Sequence, residues 1–133
     1  MARTRLAPSL AALRSAKSNG SRLLDGCDHR TSRMRRFRDL IGMHVGDLGG
    51  EDACSAAELS IVRRAALLTL ELEVMEGRFE QAGEASLKQL DAYQRAANSL
   101  RRLLESLGLK RRPRDITPAP LDYARKRADE AAA

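Results

Sequence analysis

A chain of 133 residues with 43% hydrophobic but only 3% aromatic residues, and no Trp, has room for one modest core built mainly from Leu, Ala, Ile and Val. No apolar run is long enough to span a bilayer, and residues 1–6 lack the apolar stretch of a secretory signal, so a soluble cytoplasmic protein with no membrane partner is expected. The formal net charge of +6 points toward an acidic partner.

That charge is segregated. Residues 1–40 carry ten Lys or Arg against three acids, residues 41–100 carry five against ten, and residues 101–133 carry nine against five. An acidic middle between basic flanks suits an assembling centre with nucleic-acid-contacting ends.

Residues 1–30 read as a basic, partly disordered segment. Pro8, Gly20 and Gly26 interrupt it, Leu10 and Leu13 allow one short helical stretch ending near Ser18, and Asn19-Gly20-Ser21 signals a turn or linker. Residues 31–133 read as a single all-helical domain. Its first helix spans about 32–48, capped by Thr31 or Ser32, with Met34, Phe37, Ile41, Val45 and Leu48 on one face. Arg33, Arg35, Arg36 and Arg38 lie on its other side, and Gly49-Gly50 stops it.

The spacing then predicts a long antiparallel helical hairpin, about 55–82 and 86–108. Ile61, Ala65, Leu68, Leu72, Met75 and Phe79 alternate at four- and three-residue steps; Leu90, Tyr93, Ala97, Leu100, Leu104 and Leu107 do the same. Each set lies on one side of a helix and forms a knobs-into-holes seam, so these positions are expected to build the core and the oligomer contacts. Leu67, Leu70 and Val74 widen the first stripe, as a helix touching two neighbours requires. Ser55 with Glu58, and Ser86 with Gln89, have the spacing of capping boxes, Gly83 fits the connection, and Gly108 is a natural terminator.

Beyond the hairpin, residues 109–133 form a basic tail: Lys110, Arg111, Arg112, Pro113 and Arg114, then Thr117-Pro118-Ala119-Pro120, which cannot continue a helix. A short basic helix from about Leu121 to Lys126 follows, before an Ala-rich end expected to fray.

No catalytic constellation stands out. A Gly-rich phosphate loop with Lys, a His-Glu metal helix and a Ser nucleophile elbow are all missing from the sequence, so a non-enzyme without cofactor is expected. Cys27 and His29 with His44 and Cys54 meet the paired-ligand spacing of structural zinc on one side only, which argues against a metal site, and a Cys27–Cys54 disulfide is not expected in a cytoplasmic chain. Glu71, Glu73, Glu76 and Glu80 read as a solvated helix face. The Arg-rich helix is the best binding candidate: Arg33, Arg35, Arg36 and Arg38 contact phosphates while Met34 and Phe37 anchor the helix inward. The run Lys110, Arg111, Arg112 and Arg114 fits either DNA or an acidic protein surface.

The order of parts, a basic N-terminal region, a helical hairpin, a leucine-rich segment over 93–109 ending in Leu107-Gly108-Leu109, and a basic Pro-containing tail, resembles the small terminase subunit of tailed bacteriophages and prophages, across roughly residues 31–127. The resemblance implies a DNA-packaging adaptor: an N-terminal region on double-stranded viral DNA, a hairpin that builds a ring of identical subunits, and a C-terminal segment that engages the large terminase ATPase and nuclease subunit. That family commonly places a helix-turn-helix ahead of the hairpin. Here helix 32–48 stands largely alone in that place, so the implied DNA contact is mostly electrostatic and summed over subunits. Two other readings stay open: a protein-only assembly module of phage origin, and a small dimeric DNA-binding regulator.

Overall fold

The computed structural model describes residues 13–18, 22–114, 116–117 and 119–132. The fold is all-α. Helix α1 spans Ser32–Asp47, a 3-10 turn occupies Glu51–Ala53, α2 spans Ala56–Ala82, α3 spans Leu87–Leu107 and α4 spans Pro120–Ala132.

Local chemistry sets the boundaries. Thr31 caps α1, its hydroxyl accepting from the Met34 N–H at 3.2 Å. Gly49 and Gly50, at φ 101° and 102°, end the helix in a conformation that side chains resist, and a Cβ on Gly49 would lie 3.3 Å from that of Ala53. Both expected capping boxes form: the Ser55 and Ser86 hydroxyls accept from Glu58 N–H (3.1 Å) and Gln89 N–H (3.2 Å), and the Glu58 and Gln89 side chains accept from the Ser55 and Ser86 N–H groups, each at 2.9 Å. Between the two helices Gly83 sits at φ 73°.

With 27 residues, α2 is about 40 Å long at about 1.5 Å per residue. It is the central element, packing on α1 with one side and on α3 with another. Against α1 it sets Ala66 and Leu70 into Met34, Phe37 and Leu40, with Leu67 alongside. Nearer its start, Val62 meets Leu48, which caps the end of α1, and Leu107 of α3, where the ends of three helices converge. The widened stripe therefore does what its width implies.

Several details differ from the sequence expectation. Leu40 is buried on the inner face of α1, while Ile41 and Val45 are only half-buried, so the face turns one position from the expected stripe. Leu23 and Leu24 pack against the Met34–Phe37 cluster, and the Arg63 guanidinium donates to the Leu23 carbonyl at 2.9 Å, so part of the segment read as loosely structured belongs to the core. Residues 13–18 form bends and turns instead of the expected short helix; Leu10, Pro8 and residues 19–21 lie outside the described residues. Helix α4 continues to Ala132, well past Lys126, because Ala, Lys, Arg and Glu are all strong helix formers. None of its described side chains is buried. No helix among the described residues is long and apolar enough to cross a membrane.

Candidate nucleic-acid interface

The four arginines of α1 do not share one face. One helical turn carries Arg33 and Arg36 over α2, where they pair with its acidic strip: Arg33 with Glu71, and Arg36 with Glu73 at 2.7 Å. The Arg36 contact is two-pronged, with the second nitrogen 3.3 Å from the other carboxylate oxygen. It holds the Glu73 carboxyl below the usual carboxylate range and raises the Arg36 guanidinium above its ordinary value, in both cases chiefly through the hydrogen bond. The acidic face stays largely exposed, as expected, but three of its four carboxylates have partners. Glu71 and Glu73 are ion-paired, and Glu76 accepts from the Tyr93 hydroxyl at 2.7 Å, which pushes the Tyr93 phenol up.

Arg35 and Arg38 are exposed, Arg38 beside a groove that α1 shares with Leu59, Ser60 and Arg63 of α2, and neither has a carboxylate at ion-pair distance among the described residues. Arg38 donates to the His29 carbonyl at 3.3 Å, which fixes its position without cancelling its charge. Gly42 and Gly46 follow Arg38 at four-residue steps, each with open space where a Cβ would stand.

The basic tail divides in the same way. Its first half is tied to the fold: the Arg112 N–H donates to the Asp47 carbonyl at 2.6 Å, and its guanidinium reaches Glu58 at 2.8 Å and the Leu107 carbonyl at 3.2 Å. Arg111 lies 3.8 Å from Asp47. Glu58 is held below the usual carboxylate range first by the Ser55 backbone N–H and then by Arg112. Lys110 and Arg114 have no such partner among the described residues, and Arg125, Lys126 and Arg127 line the exposed α4.

Of the expected seam, Ala65, Leu72 and Leu107 are buried, and Ile61, Leu68, Met75, Phe79, Tyr93, Ala97, Leu100 and Leu104 are half-buried. Phe79 and Tyr93 meet edge to face, with ring centroids 5.9 Å apart. Leu90, near the hairpin tip, is 40% exposed. A surface groove of about 430 Å³ runs along this seam past Leu72, Ala97, Leu100 and Leu104.

Cys27 is exposed and Cys54 partly buried, and both are free thiols. Burial, with Glu58 nearby, pushes the Cys54 thiol up and keeps it protonated. Among the described residues no three His, Cys, Asp or Glu side chains converge as a metal would require.

Residue pattern did not single out Arg63. It is anchored on the Leu23 carbonyl and its Nε–H is buried without a partner, an arrangement set by a segment forty positions away in sequence. Comparison of the chain with protein-family models, with curated proteins and with solved structures finds no match in any of the three.

Proposed function

We propose that the protein is a non-enzymatic, self-assembling DNA-binding adaptor of the small terminase type, which binds double-stranded DNA and presents it to a large ATPase and nuclease subunit. The observation that carries the reading is the uncompensated charge on α1. Arg35 and Arg38 are exposed and have no carboxylate partner among the described residues, on a helix anchored by the buried Met34, Phe37 and Leu40. An anchored helix with exposed cations suits phosphate contact, and repetition in an assembly would multiply a modest contact per subunit. Lys110 and Arg114 extend the basic surface. Arg33, Arg36, Arg111 and Arg112 serve first as internal ties, which narrows the set of phosphate contacts expected from sequence.

The test is DNA binding as a function of salt. Wild-type affinity should fall steeply as salt rises, and Arg35→Ala with Arg38→Ala should flatten the log–log slope by about 0.9 for each phosphate that is no longer neutralised. Arg33→Ala with Arg36→Ala should change it less. A slope unchanged by the Arg35 and Arg38 variants would contradict the proposed interface.

A second reading, a protein-only assembly module, draws on the same internal ion pairs, because they leave fewer cations for DNA. An intact assembly that binds no DNA at low salt would favour it.

A further inference from the structure

Two exposed features on opposite parts of the molecule complement each other. The first is the hairpin tip, where Leu87 is 86% and Leu90 40% exposed, three residues apart on one side of α3. The chain around this tip is acidic: residues 76–91 carry Glu76, Glu80, Glu84 and Asp91 against Arg78 and Lys88. Glu80 and Glu84 have no ion-pair partner among the described residues.

The second is a groove of about 520 Å³ between the base of α2 and the side of α1. Its floor is apolar, formed by Leu23, Ile41, Val45 and Leu59, and Arg38 and Arg63 stand at its wall. Both guanidiniums are held by backbone carbonyls instead of carboxylates, so their charge is positioned and not neutralised. Glu51 also lines the groove, and Lys17 there is already paired with Asp25. Gly42 borders it with no neighbour within 4 Å, leaving room for a close approach.

We infer that the tip of one copy docks in the α1–α2 groove of a second copy, with Leu87 and Leu90 on the apolar floor and Glu84 and Glu80 facing Arg38 and Arg63. The occupant is another copy of this chain because the chain itself supplies the missing half in both senses: exposed leucines for an open apolar floor, and unpaired carboxylates for unneutralised arginines. Tip and groove are different surfaces, so the joint is heterologous. Repeated, it closes into a ring where the rotation allows and extends as a filament where it does not. The inference deepens the self-assembly half of the proposed function by naming its surface.

Native mass by light scattering in the absence of DNA tests it. Leu87→Asp lies outside the core and should leave helix content unchanged while reducing the particle to the single chain of 14.7 kDa. Arg38→Glu should do the same, and adding Glu84→Arg to it should restore assembly. Mixing the Leu87→Asp chain with the Arg38→Glu chain should give a particle of two chains and no larger, because each retains one working surface. A wild-type protein that is itself a single chain, or a Leu87→Asp variant that keeps the wild-type mass, would overturn the inference. The second result would leave DNA binding standing, whereas an assembly broken by Leu87→Asp that never bound DNA would remove the DNA reading and leave the joint.

Discussion

Helix α2 meets α1 through residues almost wholly withdrawn from solvent, with Phe37 at 1% exposure and Ala66 at 0%, whereas on the α3 side Tyr93, Ala97, Leu100 and Leu104 stay half-buried and Leu107 alone on α3 is closed. The two interfaces come from one helix and from stripes of similar spacing. What separates them is a third layer: α1 is backed by Leu23 and Leu24, while the outer side of the α3 seam has no element packed over it among the described residues. One half of the molecule is complete as a single chain. The other leaves apolar surface that a further layer can cover.

The sharpest way to break that comparison is to truncate the complete half. Phe37→Ala should destabilise the chain by about 3–5 kcal/mol, enough to bring a domain of this size close to unfolding, as read by thermal or urea denaturation. On the open half the loss should be smaller. Leu100→Ala removes a half-buried side chain, for which about 1–2 kcal/mol is expected at low protein concentration. That difference should change at high concentration if another copy covers the seam, since association adds to apparent stability and Leu100→Ala would then weaken the association as well. Equal effects of the two truncations at every concentration would erase the distinction.

A smaller effect concerns the tie that closes the open end. Glu58 accepts from the Ser55 N–H and from Arg112, and both lower its pKa below the unfolded value of about 4.3. A depressed carboxylate stabilises the fold fully above its unfolded pKa and loses that contribution as pH falls through the folded one. Melting temperature should therefore drop on acidification below about pH 4, and Glu58→Gln should start lower at neutral pH and show a shallower acid limb. A variant whose acid limb matches the wild type would remove Glu58 from the explanation.

Local chemistry was legible and distant pairing was not. Ser55 with Glu58 and Ser86 with Gln89 form within one helical turn, so their spacing alone announces the caps and the hairpin between them. The partners of Arg33 and Arg36 lie 38 and 37 positions away, and which arginines turn toward α2 depends on the rotation of α1. That rotation is visible only once Leu40, and not Val45, is found inside. The tail behaves likewise: a basic run before a proline reads as free, yet Arg112 bonds to Asp47, Glu58 and Leu107, which come together only in the fold. Arg35 and Arg38 stay exposed, with no acidic side chain at ion-pair distance among the described residues.

The most direct test is the native mass of the purified protein, by light scattering, with and without a duplex DNA fragment of a few hundred base pairs. A DNA-binding assembly should appear as a particle of many chains that gains mass on DNA at low salt and releases it at high salt. A single chain of 14.7 kDa, indifferent to DNA at every salt concentration, would contradict it.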